Sequence, residues 1–122
     1  MINGIHTLIY SKHPESVRTF LKDVLSLPSV DAGEGWLIFA SPPAEIAVHP
    51  TEEEGYHELY LMCDDIEKAT QLLSGKGVKI LRPIADRGWG LVTTIRLSGG
   101  DEFGLYQPKH PTAIKLSTNL KR

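Results

Sequence analysis

His6 and His57 stand in the same frame, Gly-x-His-x-Leu, once in "GIHTL" at 4–8 and again in "GYHEL" at 55–59. An imidazole can ligate a metal ion, move a proton, or line a core on one backbone hydrogen bond. For a single histidine on an apolar strand the last role is favoured. Two at equivalent places of a repeated unit bring a joint role, such as holding a metal, alongside that one. The offset of 51 residues that superimposes the histidines also brings Gly4 onto Gly55, Leu8 onto Leu59 and Leu21 onto Leu72.

The elements that must carry these residues repeat as well. "GIHTLIYS" alternates as a strand, with His6, Leu8 and Tyr10 on one face. "KHPESVRTFLKDVLSL" reads as an amphipathic helix. Pro14 suits its first turn, Glu15 suits the positive end of its dipole, and Val17, Phe20, Leu21, Val24 and Leu25 form its apolar stripe. "PSVDAGEG" gives at most a short strand and a turn, and "WLIFA" and "AEIAVH" are strands separated by "SPP". The second half follows the same order. "YHELYLMC" is a strand, "DDIEKATQLLSGKG" a helix with aspartates at its start and glycines at its end, and "VKILRP", "LVTTIRL" and "DEFGLYQP" are strands. Two βαβββ units, about 4–50 and 55–108, form one domain spanning residues 1–122. Two repeats are too few for a solenoid and carry too much sheet for a helical bundle. A helix on the outer face of each curved sheet leaves the other face concave, and two such sheets side by side make a half-open barrel.

Composition narrows the function. With 13 Lys+Arg against 15 Asp+Glu the net charge is −2, and no long basic block is present, so nucleic acid is not an expected partner. The first residues lack a basic region followed by an apolar core. No apolar stretch approaches the roughly 20 residues that cross a bilayer, so no membrane association is expected. Cys63 is the single cysteine and has no internal disulfide partner, which agrees with a reducing, cytoplasmic setting. At the end of an apolar strand it reads as a small buried thiol rather than a nucleophile.

The doubled histidine frame, "YHELYLMCDDIEKATQLLSGKGVKI" and "GGDEFGLYQP" resemble the vicinal oxygen chelate superfamily of glyoxalases, bleomycin-resistance proteins, fosfomycin-modifying enzymes and extradiol dioxygenases, over nearly the whole chain from Gly4 to Pro108. The resemblance implies an α+β fold of paired βαβββ modules and, in the enzymes, a divalent metal on the concave face that chelates adjacent oxygens of a substrate. It carries the ligand role onto His6 and His57 in the first strand of each module and onto Glu45 in the last strand of the first. His49 is the shifted-register alternative to Glu45. In the second module the fourth position falls on Gly104, which departs from the pattern. Glu102 reaches the same face only about 7 Å away along the strand. A metal site here, filled by nickel, zinc, manganese or iron, would therefore have three protein ligands and polarise a carbonyl or enol oxygen. Glu45 would serve as ligand and as a base after displacement. Gly104 counts against dioxygenase chemistry and leaves a lyase or isomerase-like reaction.

The rest of the concave face supplies candidates for substrate binding. Trp89 lies between glycines in "DRGWGL", a loop suited to closing over a ligand. Tyr106 shares a face of the last strand with Gly104. Arg96 either holds an anionic group or pairs across strands, the second role being favoured. Trp36 and Phe39 read as packing residues, and neither His13 nor His110 is a site candidate. The alternative to an enzyme is a metal-free homodimer that binds a small hydrophobic or aromatic compound unchanged. Dimerisation is what the resemblance implies for a chain of this size.

Overall fold

The computed structural model describes residues 6–114. Helix α1 (Pro14–Thr19) begins where Pro14 needs no hydrogen-bond partner, with Glu15 in its first turn ion-paired to Arg18 in its last. It continues into a π-helical segment, Phe20–Val24, closed by Leu25 N–H donating to the Phe20 carbonyl at 3.0 Å. The helix expected from the apolar stripe is therefore present but changes pitch halfway. Val17 and Phe20 are buried, and Leu21, Val24 and Leu25 pack partly against them.

Strands β1 (Ser29–Asp31) and β2 (Leu37–Phe39) form an antiparallel hairpin, pairing Ser29 with Phe39 and Asp31 with Leu37. The Asp31 carboxylate accepts from Gly33 N–H at 2.7 Å and from Gly35 N–H at 3.2 Å. Both glycines adopt positive φ, the region a side chain disfavours. The Arg18 guanidinium lies 5.6 Å from the centre of the Trp36 ring and ties the hairpin to α1.

The first and last strands expected in this half do not form. Residues 6–10 and 44–49 have no ladder partner, and Leu8, Tyr10, Ile46 and Val48 face solvent. Alternating sequence reports a preference for extended backbone, but a strand also needs a neighbour to receive its N–H and C=O groups. Among the described residues no ladder joins either segment to a neighbour.

The second half forms a strand, a helix and further strands in the expected order, but its first strand is cut short to 60–62 and a short strand arises in the expected loop at 85–86. Strand β3 (Tyr60–Met62) leads to helix α2 (Ile66–Gly75), capped by the Asp65 carboxylate accepting from Lys68 N–H at 3.1 Å. Then come β4 (Lys79–Ile80), β5 (Ala85–Asp86), β6 (Gly90–Arg96) and β7 (Glu102–Pro108). The sheet order is β3-β7-β6-β4, with β5 also on β6. β3 runs parallel to β7, and the other pairs are antiparallel.

Alternation along β6 and β7 divides this sheet into two faces. Ile95, Phe103 and Leu105 enter a core with Val17, Phe20, Ile66, Val78 and Leu97, in which Ile66 and Ile95 are fully buried. The Phe20 and Phe103 rings meet at 6.1 Å, so the π-helical segment that continues α1 packs on the sheet of the second half. Thr93 is the buried polar residue of this region, and its hydroxyl donates to the Arg82 carbonyl at 2.7 Å. A further tie comes from the β6–β7 turn, where Gly99 N–H donates to Ser16 Oγ at 3.1 Å and Asp101 accepts from Ser11 Oγ at 2.7 Å. A Cβ at position 99 would lie 2.8 Å from the Cβ atoms of both His13 and Ser16, so only glycine allows this approach. The opposite face carries Val92, Thr94 and Arg96 of β6 with Tyr106, Gly104 and Glu102 of β7, directly paired in that order.

Candidate functional site

The parallel pairing of β3 with β7 sets Tyr60 beside Gly104 and Met62 beside Tyr106. Gly104 has no side chain, and the Tyr60 ring lies over it. A Cβ built there would be 2.3 Å from Tyr60 Cδ1 and 2.5 Å from Cε1. Glycine in a strand interior often marks close approach by another group, and here that group is an aromatic ring. Tyr60 then meets Tyr106 edge to face at 5.6 Å and Trp89 at 6.2 Å, and Trp89 meets Tyr106 at 5.5 Å. The three rings form a triangle of T-shaped contacts, a favoured aromatic geometry.

Trp89 is placed by the β5–β6 turn. Asp86 accepts from Gly88 N–H at 2.8 Å, Gly88 takes positive φ, and Arg87 N–H donates to the Gly90 carbonyl at 2.9 Å. Lys109 holds the turn from the other side. Its N–H donates to the Trp89 carbonyl at 2.9 Å and its Nζ to Asp86 Oδ2 at 2.8 Å. The Lys109 hydrogen bond, followed by that from Gly88, keeps the exposed Asp86 carboxyl below its ordinary pKa. Trp89 retains an exposed edge.

Burial pushes the Tyr106 phenol up in pKa, and the Glu45 carboxylate beside it adds to the effect. Burial also raises that of Tyr60, with Glu58 adding to the shift and Arg87 opposing it. Both phenols therefore stay protonated at neutral pH. Tyr106 Oη donates to Glu45 Oε1 at 3.3 Å, while Glu45 Oε2 accepts from Ala113 N–H at 2.7 Å. Two imidazoles flank the triangle. His49 lies edge-on to Trp89 at 6.2 Å, and His110 is tilted against Tyr106 at 6.1 Å.

The residues singled out from sequence are thus divided. Trp89, Tyr106 and Glu45 come together. Arg96 stands further along the same face of the sheet, bonded through Nη2 and Nε to Glu102 Oε2 at 2.9 and 3.3 Å in the cross-strand pairing weighed above. His6 and His57 are exposed, in segments without a ladder. Among the described residues no group of three or more His, Cys, Asp or Glu side chains is placed to hold a metal ion. Glu45 is placed with neither histidine in such a group. Each Glu45 oxygen accepts one hydrogen bond, and the Tyr60 ring fills the space in front of Gly104, the fourth position of the family pattern.

Sequence reasoning missed Tyr60, His110 and the side-by-side setting of Glu45 and Tyr106. Gly104 was a signal of close approach, but the ring that approaches is fixed by a parallel pairing between strands more than forty residues apart.

Comparison with known proteins agrees with this architecture. No curated protein sequence matches the chain. Among solved structures it is similar to a glyoxalase/bleomycin resistance protein/dioxygenase superfamily member from Sphaerobacter thermophilus, with a TM-score of 0.61 at 22% identity over 87% of this chain and 98% of the other. It is also similar to TnmS3, an antibiotic binding protein from a Streptomyces species, with a TM-score of 0.60 at 23% identity over 89% and 99%. A third likeness is to lactoylglutathione lyase from Agrobacterium tumefaciens, with a TM-score of 0.60 at 13% identity over 86% and 92%. At these identities the likeness establishes the fold. The sequence profile of one family matches residues 5–106, most of the chain, and the chain accordingly belongs to the Glyoxalase/Bleomycin resistance protein/Dioxygenase superfamily.

Proposed function

We propose that this protein binds a small aromatic molecule, unchanged, against Tyr60, Trp89 and Tyr106 on the sheet face opposite the helices. The observation that carries the reading is the ring triangle itself. It stands around Gly104, the position to which the family resemblance assigned a metal ligand, and it offers an exposed Trp89 edge and two protonated phenols. Flat apolar surface with a few polar groups suits a planar ligand bearing acceptor atoms. TnmS3, of similar fold, is an antibiotic binding protein, which is consistent with such a role in this superfamily. The competing reading, a metal-dependent lyase or isomerase-like enzyme with His6, His57 and Glu45 as ligands, rests on the repeat equivalence of the histidines. The placement of those donors does not support it.

We further propose a single domain of two modules, about 4–50 and 55–108, that acts in the cytoplasm as a homodimer. The exposed apolar residues of the unladdered segments support the dimer, since Tyr10 and Val48 are 89% and 93% exposed and a second copy supplies what these segments lack. Sedimentation analysis should return twice the chain mass.

The ligand reading is tested by titrating a panel of planar aromatic compounds into a Trp36→Phe variant, so that Trp89 alone reports by fluorescence. Binders should quench Trp89, and Trp89→Ala should weaken them by roughly tenfold, about 1.4 kcal/mol, measured by calorimetry. Binders whose affinity is unaffected by Trp89→Ala would place the site elsewhere.

A further inference from the structure

The chain does not leave the ring triangle when β7 ends. After Pro108, Lys109 is fastened to the Trp89 carbonyl and to Asp86, and the His110 ring leans on Tyr106. Ala113 N–H then reaches Glu45 Oε2 at 2.7 Å, while Oε1 of the same carboxylate accepts from Tyr106 Oη. Residues 106–113 thus make a loop whose two ends are joined through one side chain of the first half, and the loop passes two of the three rings. Its near end is fixed by the β6–β7 ladder. Among the described residues its far end is held by the hydrogen bond from Ala113 to a charged acceptor, and residues 111–113 are exposed.

We propose that Lys109–Ala113 is a strap along the Trp89 and Tyr106 side of the aromatic site, and that the Glu45 carboxylate is its latch, so that ligand entry goes with opening of the Ala113–Glu45 bond. The strap rests on the reading of Tyr60, Trp89 and Tyr106 as the ligand seat. Segments held by few buried contacts and exposed hydrogen bonds are those that open at low free energy, and a latch on a charged acceptor gives the opening one controlling residue.

The test needs no ligand, so its outcome is separate from that of the binding reading. In a Trp36→Phe background, acrylamide quenching reports access to Trp89, and amide hydrogen exchange reports the latch directly. Glu45→Ala should accelerate exchange of the Ala113 amide by roughly tenfold or more and raise the quenching constant of Trp89. Ala113→Pro, which removes the N–H donor and also restricts the backbone at 112–113, should raise the same quenching constant. Glu45→Gln, which keeps an acceptor but no charge, should fall between the parent and Glu45→Ala. Far-ultraviolet dichroism confirms that each variant is folded. Unchanged Ala113 exchange in Glu45→Ala would overturn the proposal. So would raised quenching in only one of Glu45→Ala and Ala113→Pro, because the bond between the two residues would then not be the controlling contact.

Discussion

Replacing Gly104 by alanine tests whether the Tyr60 ring occupies the place described. The added methyl would lie 2.3, 2.5 and 3.0 Å from Cδ1, Cε1 and Cγ of Tyr60, whereas carbon atoms pack at about 3.5–4.0 Å. One of the three is the root of the ring, so rotating the ring in place does not clear it. The whole side chain must swing, and Trp89 and Tyr106 stand at its edges. Two effects oppose each other. Alanine in a strand interior recovers roughly 0.5–1 kcal/mol of glycine's backbone entropy. Overpacking costs about 1–3 kcal/mol, and each aromatic pair that is broken forfeits about 0.5–1.5 kcal/mol. The second effect wins, and Gly104→Ala should destabilise by roughly 1–3 kcal/mol, lowering Tm by about 3–6 °C per kcal/mol for a domain of this size. The assay is reversible urea denaturation of wild type, Gly104→Ala, Tyr60→Ala and the double variant. In the Tyr60→Ala background the same substitution should be neutral or stabilising, giving a coupling of at least about 1 kcal/mol. A more stable Gly104→Ala, or a cycle additive within about 0.5 kcal/mol, would refute the placement of the ring.

Removal of the α2 cap by Asp65→Ala should cost about 1 kcal/mol by the same denaturation, and Asp65→Asn should restore most of it. Arg96→Ala should cost at most about 1 kcal/mol, less at high salt, because the pair with Glu102 is more than two-fifths exposed on both sides. The Cys63 thiol is pushed up in pKa by burial and then by Asp64 and Asp65, so it stays protonated at pH values where a free thiol ionises. Its alkylation by iodoacetamide should be slower than that of free cysteine at neutral pH, with the rise in rate displaced to higher pH, and unfolding in urea should abolish the difference. Nickel, zinc or manganese added to the chelator-treated protein should leave its Tm unchanged. A rise that disappears in His6→Ala/His57→Ala would instead establish the histidine site.

Much of the fold was legible because it is local. Pro14 and Asp65 mark where helices start, the apolar spacing of Val17, Phe20, Leu21, Val24 and Leu25 marks the face the first helix buries, and the glycines of "DAGEG" mark a turn. The 51-residue repeat announced the family architecture, since equivalent units fold by equivalent local rules. Alternation correctly set Gly104 and Tyr106 on one face and Phe103 and Leu105 on the other. What alternation cannot report is which strand lies alongside. It predicted strands at residues 6–10 and 44–49 that find no ladder within the described chain. For Arg96 it favoured a cross-strand pair over an anionic substrate without naming the partner, which direct opposition in the β6–β7 register fixes as Glu102.

The site itself was a tertiary decision. His6, His57 and Glu45 were grouped from sequence by their places in a repeat, but distance in space depends on how the two halves meet, and no local rule encodes that. The fold instead brings Glu45 to Tyr106 and Ala113, residues more than sixty positions away, and sets Tyr60 over Gly104 through a parallel pairing. The sequence alone determined that the chain has two helices and, at position 104, a glycine on the same strand face as Tyr106. Only the tertiary structure determined that an aromatic ring stands at that glycine, because a gap in one strand is filled by whichever side chain the neighbouring strand presents.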